Sequence, residues 1–256
     1  MDGEIKMTIE LRADERLDML YRDEIQIIQS HSVFSFSLDA VLLAHFANPR
    51  NGGRGTTVDL GTGNGAIPLF MAHKVTGQII GVEIQPRLAD MAQRSVQLNE
   101  LSDKIKIINK DMRDVFVDIK PGSVENVVSN PPYFEATEKS HKNPNQHYAI
   151  ARHEIKADLN LVTHTAKKLL KSGGHFFMVH RPDRLFEILD ALRDNNLIPK
   201  RIQFVYPKVG KEANIVLIES IKNGKLTGAQ ILPPIITHQD NDEYRDEVLA
   251  IYEGRA

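Results

Sequence analysis

The segment Asn130-Pro131-Pro132-Tyr133 carries more chemistry in its residue types and order than any other stretch of this chain. Asn130 offers a side-chain carbonyl and Pro131 a backbone carbonyl. Consecutive prolines continue neither a helix nor a strand, so the backbone that holds these acceptors is stiff. Two fixed acceptors can take both hydrogens of one planar amino group and draw its lone pair out of conjugation. Tyr133 can stack on the flat group that bears the nitrogen, as aromatic side chains do with extruded bases. The chemistry implied is attack by an amino nitrogen, with Asn130, Pro131, Pro132 and Tyr133 as candidate catalytic residues. Elsewhere in a fold the same four residues would be only a rigid turn.

A second constellation precedes it, Asp59-Leu-Gly61-Thr-Gly63-Asn64-Gly65. Glycines at a strand-to-helix turn let the backbone bend sharply and approach a ligand with no Cβ in the way. Alone such a turn is weak evidence, because tight turns also use glycine for structural reasons. Glu83, at the end of the next strand, sharpens it: a carboxylate there is the usual acceptor for two ribose hydroxyls. The spacing differs from the Gly-x-Gly-x-x-Gly turn that seats a pyrophosphate. Asp59 adds negative charge, unfavourable beside a diphosphate and suited to the sulfonium and ammonium of S-adenosylmethionine, which is therefore the expected cofactor ahead of NAD. Asp111 stands where it could accept from an adenine amino group or, equally, cap a helix. The cofactor-binding set is Asp59, Gly61, Gly63, Asn64, Gly65, Glu83, Asp111 and Met112.

These residues need a scaffold that brings both segments to one mouth. Leu38 to Phe46 has helical spacing of apolar residues, and Asn51-Gly-Gly-Arg-Gly55 reads as a hinge. From Thr56 strands and helices alternate. Strands are expected at Thr57–Leu60, Gln78–Glu83, Ile105–Ile108, Val124–Val128, His175–Val179, Ile202–Val205 and Ile215–Ile218. Helices are expected at Ala66–His73, Pro86–Asn99, Leu159–Leu170 (closed by Gly173-Gly174) and Asp183–Asn195. This alternation predicts a Rossmann-like, doubly wound α/β sheet, mostly parallel, covered by helices on both faces. Only Tyr206 to Asn214 separate the last two strands, too few residues for a helical crossover, which predicts one antiparallel strand at the sheet edge. In such sheets ligands sit beyond the C-terminal strand ends, where the glycine turn and Asn130 both fall. The expected organisation is an N-terminal segment 1–55 with a cofactor- or substrate-covering helix, a core 56–222, and a C-terminal extension 223–256 packed on it.

Composition narrows the classes. The chain has 256 residues, 41% hydrophobic and 26% charged, a globular balance, with a formal net charge of -2 that advertises no general attraction to nucleic acid. It contains no cysteine, and its ten histidines show no ligand spacing, so neither a disulfide framework nor a metal site is expected. The polar start from Met1 to Leu11 does not resemble a signal peptide, and no apolar run approaches the roughly 18 residues that span a bilayer. The expectation is a soluble cytoplasmic protein with no membrane partner.

The motifs Asp59-Leu-Gly-Thr-Gly-Asn-Gly65, Glu83, Asp111 and Asn130-Pro-Pro-Tyr133 resemble those of class I S-adenosylmethionine-dependent methyltransferases. More narrowly, Phe34-Ser-Phe-Ser-Leu-Asp-Ala-Val-Leu-Leu43, Ala151-Arg-His-Glu154 and His180-Arg-Pro-Asp-Arg-Leu185 extend a resemblance over nearly the whole chain. It is to bacterial tRNA adenine-N6 methyltransferases that modify the purine beside the anticodon of a valine tRNA. That resemblance implies a cytosolic enzyme that methylates the exocyclic N6 of an adenine in structured RNA, here tRNA. Guanine amino methylation in ribosomal RNA stays open, since the same acceptors serve it. So does methylation of a protein glutamine amide, disfavoured because fewer than 60 residues precede Asp59 where that class carries a helical domain. Candidate substrate-binding residues are Phe36 and, in the polar stretch after Tyr133, Lys139, Lys142, Arg152 and His153; a solvated loop is the plain alternative. Lys200, Arg201, Lys208 and Lys211 read as a charged sheet edge.

Overall fold

The computed structural model describes residues 9–20, 25–33, 37–49, 53–131 and 159–255. Five strands run parallel in the order β5 (Ile105–Asn109), β4 (Ile79–Glu83), β3 (Thr57–Leu60), β6 (Val124–Ser129), β7 (Leu170–His180). The sheet continues through β9 (Ile215–Lys222) and β8 (Leu197–Tyr206), and β8 also pairs with the short strands β10 (Gln230–Ile231) and β11 (Ile235–Ile236). Central strands are buried on both faces, and their sequences show it: Thr57-Val-Asp-Leu60 is buried throughout, and so is Asn126-Val-Val-Ser129.

Helices α1 (Leu38–Phe46), α2 (Ala66–Met71) and α3 (Pro86–Leu98) cover one face. The other carries α4 (Leu159–Leu169), α5 (Leu185–Asp194) and a short 3-10 turn at Met112–Val117. Pro86 opens α3, where its missing N–H costs nothing. The last helix, α6 (Asp246–Tyr252), buries Val248 and Ile251 in the cluster that contains Leu42, Leu43 and Phe46 of α1.

The expected late antiparallel pair is β8 and β9, so the mixed α/β sheet is as the sequence predicts. Its placement is finer than expected. Strand β9 pairs antiparallel with both β7 and β8 and lies between them, while β8, extended by β10 and β11, is the outer member. Burial explains the order: Ile215 to Ser220 are all buried, as an interior strand requires, whereas more than half of β8 is only half-buried. Gly173-Gly174 do not close α4, which ends at Leu169. They lie in β7, in a bulge where the register jumps from Val124↔Leu170 to Asn126↔His175.

The structure adds an element ahead of α1 that the sequence reading passed over. Strands β1 (Glu15–Leu20) and β2 (Ile25–Ser30) form an antiparallel hairpin seated on α3. Ile28 N–H donates to Ser95 Oγ at 2.9 Å, and Gln26 and Asn99 exchange two bonds at 2.8 and 2.6 Å. Arg94 grips Glu15 with both terminal nitrogens, at 2.7 and 2.8 Å, and Arg87 holds Asp14 at 2.7 Å.

Candidate functional site

Sheet register sets the site. Leu60 pairs with Ser129 on one side and Val82 on the other, so the residues that come next, Asn130 and Gly61 just past their strands and Glu83 as the last of β4, follow one another across the C-terminal edge. Glu83 in turn pairs with Asn109, just ahead of Asp111. A parallel sheet delivers such an edge by construction: each strand ends at the same rim, and the connecting segments turn away from it.

The turn after β3 is drawn back over the sheet by bonds from Gly61 N–H and Thr62 N–H to Val82 O, at 2.9 and 3.0 Å. Gly61, Gly63 and Gly65 all have positive φ, at 77°, 59° and 86°, the region that disfavours side chains. They serve different ends. A Cβ on Gly65 would stand 3.1 Å from Ala92 Cβ, so Gly65 lets α2 start close to α3. A Cβ on Gly61 or Gly63 would meet no heavy atom within 4 Å. Those two glycines face open space at the sheet edge, the form of a cradle for a bound molecule.

Two carboxylates stand on the floor of this cradle. Asp59 is fully buried; its Oδ2 accepts from Thr62 Oγ1 at 2.6 Å, and its Oδ1 has no hydrogen-bond partner. Burial pushes the Asp59 carboxyl up to about 7, with Thr62 pulling it down and the charge of Glu83 pushing it further up. Glu83 is held by Gly63 N–H on Oε2 at 2.9 Å and by Gln85 N–H on Oε1 at 2.8 Å. Burial raises its carboxyl above the ordinary value, against the pull of those amides. A buried acceptor without a donor, beside a second buried carboxylate, repels phosphate and favours a ligand that brings N–H and O–H donors and positive charge. S-adenosylmethionine, with an ammonium, a sulfonium and two ribose hydroxyls, fits that donor set.

The remaining expected cofactor residues are distributed around this pair. Asn64 is buried, and its side-chain amide donates to Ile28 O at 3.1 Å, which ties the glycine turn to β2. Its nitrogen is thus committed to the hairpin. Asp111 caps the 3-10 turn through Arg113 N–H at 3.0 Å and pairs with the Arg113 guanidinium at 2.6 Å, so the capping alternative is realised in its geometry. Met112 is buried among the apolar residues of the α4 face. Asn130 is half-buried at the end of β6 and Pro131 is buried. Pro132, Tyr133, Phe36, Lys139, Lys142, Arg152 and His153 lie outside the described residues. Of the residues at the presumed sheet edge, Arg201 is not a plain surface cation: it pairs with Glu219 at 2.7 Å and covers the Phe46 ring at 4.7 Å.

Three contributors were missed from sequence. Thr62 supplies the hydrogen bond to the Asp59 carboxylate, and a hydroxyl three residues after a buried carboxylate was a readable signal. Asn109, through Nδ2 to Glu83 O at 2.8 Å, braces the strand end that carries Glu83. Ile28, in the unexpected hairpin, receives Asn64. Among the described residues no group of three metal-ligating side chains occurs, and no helix is long and apolar enough to cross a membrane.

Comparison with known proteins places this geometry. The family model described as "Methyltransferase small domain" matches residues 24–192. A tRNA1(Val) (adenine(37)-N6)-methyltransferase of Bacteroides thetaiotaomicron is 28% identical over 211 residues, covering 81% of this chain and 86% of its own length. A solved structure of a predicted O-methyltransferase from Agrobacterium tumefaciens superposes with a TM-score of 0.66 at 23% identity, over 85% of this chain and 97% of its own. Geranyl diphosphate C-methyltransferase of Streptomyces coelicolor, solved with S-adenosyl-L-homocysteine, gives a TM-score of 0.54 at 16% identity, over 71% of this chain and 79% of its own. At these identities the two structures speak for the fold.

Proposed function

Since the chain belongs to the methyltransferase small domain family and uses S-adenosylmethionine, we propose that it methylates the exocyclic N6 of an adenine in tRNA, beside the anticodon. The observation that carries this reading is the row Asn130, Gly61, Glu83 at one edge of the sheet, which sets an amide acceptor beside the cofactor cradle. The name of the Bacteroides relative, matched over most of both chains, supplies the substrate class.

In this reading Asp59 and Glu83 bind the cofactor. Glu83 keeps lone pairs for two ribose hydroxyls beyond the two amides it already accepts, and Asp59 Oδ1 gains the partner it lacks. Gly61 and Gly63 admit the ligand to backbone contact. The cofactor, when bound, supplies an electrophilic methyl carbon on a sulfonium. Asn130 Oδ1 and the Pro131 carbonyl accept the two hydrogens of the adenine amino group. This fixes the nitrogen, draws its lone pair out of conjugation with the ring as the nitrogen becomes tetrahedral, and stabilises the positive charge that grows on it as the N–C bond forms and the methyl's bond to sulfur breaks, until one proton passes to solvent. Tyr133 stacks on the base, and Phe36, Lys139, Lys142, Arg152 and His153 contribute the substrate surface.

The test is nucleoside mass spectrometry on tRNA from cells with and without the gene. Loss of N6-methyladenosine from tRNA of the deletion strain is expected. Unchanged N6-methyladenosine in tRNA, with loss of a methylated guanosine from ribosomal RNA or of a methylated glutamine from protein of the same strain, would move the assignment to ribosomal RNA or protein.

A further inference from the structure

One peptide unit is gripped from two sides at the point where β3 leaves the sheet. Its N–H, that of Gly61, donates to Val82 O of β4 at 2.9 Å, and its carbonyl, Leu60 O, accepts from Ser129 Oγ of β6 at 2.8 Å. The glycine turn therefore starts from a peptide tied to both neighbouring strands. On the β6 side the tie is a side chain, and it belongs to the residue that immediately precedes Asn130. A single hydroxyl thus joins the opening of the cofactor cradle to the opening of the transfer segment.

The residue type needs a reason. Ser129 is 0% exposed and ends a strand whose other buried members include Val124, Val127 and Val128. An apolar side chain there would leave no hydroxyl to satisfy, whereas a buried hydroxyl is stable only when it is hydrogen-bonded. This one is spent on the neighbouring strand, at the last rung of the ladder: the pairing of β3 with β6 stops at Leu60 and Ser129. Beyond that rung the two chains diverge, one into the glycine turn and the other into Asn130-Pro-Pro-Tyr133. The Oγ bond fixes how far apart, and at what angle, they start.

We propose that Ser129 is a positioning residue for methyl transfer, acting through Leu60 and Asn130 to set the bound methyl donor against the nitrogen held by the transfer segment. The inference rests on the proposed transfer to an amino nitrogen held by Asn130. Displacement at the methyl carbon needs nitrogen, carbon and sulfur in line, with the reacting atoms about 3–3.5 Å apart, and a misplacement of about 1 Å can cost about a hundredfold in rate. Donor and acceptor are held by segments that follow different strands, β3 and β4 for the cofactor and β6 for the amino group. Their mutual position is therefore a property of the junction between β3 and β6. Ser129 is fully buried, so it acts through its neighbours and not on a ligand.

The test compares Ser129→Ala with Thr57→Val. The second change removes the hydroxyl that accepts from Asn126 Nδ2 at 3.3 Å, a side-chain bond between the same two strands at the far end of their pairing. Unmodified tRNA is the methyl acceptor; single-turnover rates at saturating tRNA and cofactor read the transfer step itself, and isothermal titration gives the affinity for S-adenosylmethionine. Ser129→Ala is expected to lose about tenfold to a hundredfold in single-turnover rate, with cofactor affinity and tRNA KM each within about threefold of the wild type. Thr57→Val should keep the wild-type rate. A rate for Ser129→Ala within about threefold of the wild type, a loss shared by Thr57→Val, or a loss of cofactor affinity as large as the loss of rate would each overturn the positioning role. Absence of transfer to tRNA by the wild type would refute the substrate reading itself, and the inference would fall with it.

Discussion

Gly63→Ala and Gly65→Ala are the same chemical change two residues apart, and the structure assigns them opposite consequences. Both positions have positive φ, so each alanine costs about 1–2 kcal/mol of backbone strain. At Gly65 the new methyl also lies 3.1 Å from Ala92 Cβ and 3.4 Å from Ala92 Cα, tighter than a packed interior tolerates. Overpacking of this kind adds about 1–3 kcal/mol, for a total of about 2–5 kcal/mol. At Gly63 the methyl meets nothing within 4 Å and projects into the cradle that faces Glu83 and Asp59. Gly63→Ala should therefore lose only the strain in stability, yet lose about tenfold or more in affinity for S-adenosylmethionine, at least about 1.4 kcal/mol. Denaturant unfolding of the ligand-free protein and isothermal titration measure the two quantities on one preparation. Wild-type affinity in Gly63→Ala would refute the placement of the cofactor. A Gly65→Ala variant no less stable than Gly63→Ala would refute the division of labour between the glycines.

Three further outcomes follow from the charges. Asp59 has a folded pKa of about 7 against an ordinary 3.8, so the ligand-free fold keeps a proton that the unfolded chain has lost, and stability falls as pH rises from about 4 to about 7. Asp59→Asn should remove that slope and raise the unfolding free energy at pH 8, by at most about 4 kcal/mol at 1.36 kcal/mol per unit; an unchanged slope would refute it. A cation beside Asp59 stabilises its ionised form, so S-adenosylmethionine affinity of the wild type should rise between about pH 6 and 8 with release of a proton, and affinity flat or falling with pH would contradict this. Arg94→Ala strands Glu15, whose side chain is fully buried and whose carboxyl, pushed up by burial, is held below its ordinary value by Arg94 and the amide of Arg12. The expected loss is about 3–5 kcal/mol in urea unfolding, partly restored by a second change of Glu15→Ala; a loss below about 1 kcal/mol would show that the latch between hairpin and α3 contributes little.

The central scaffold was legible because its strands are buried on both faces and read as short apolar runs between glycine, proline and polar turns. The glycine turn, Glu83 and Asn130 stand at strand ends, and once the strands are placed the register brings them to one edge without further information. The N-terminal hairpin was not legible. In Glu15-Arg-Leu-Asp-Met-Leu20 the first charged residue, Glu15, is bonded to Arg94 of α3 where it looks like part of a solvated start, and Leu17 and Met19 remain 37% and 41% exposed. Its stability comes from a partner helix some 70 residues away, which no local pattern records. The interior position of β9 followed the same logic in reverse: its unbroken burial was visible as Ile215-Val-Leu-Ile218, but its pairing with β7 is a long-range choice. Arg201 read as an edge cation because its partners, Glu219 and Phe46, belong to other elements.

The most direct test of the proposed chemistry is transfer from S-adenosylmethionine to an unmodified valine tRNA transcript by the purified protein, with the product digested and mapped by mass spectrometry. The account predicts one methyl on N6 of the adenine beside the anticodon, and its loss in Asn130→Ala while cofactor affinity stays near that of the wild type. A methyl on any other atom, or near-normal turnover in Asn130→Ala, would contradict it.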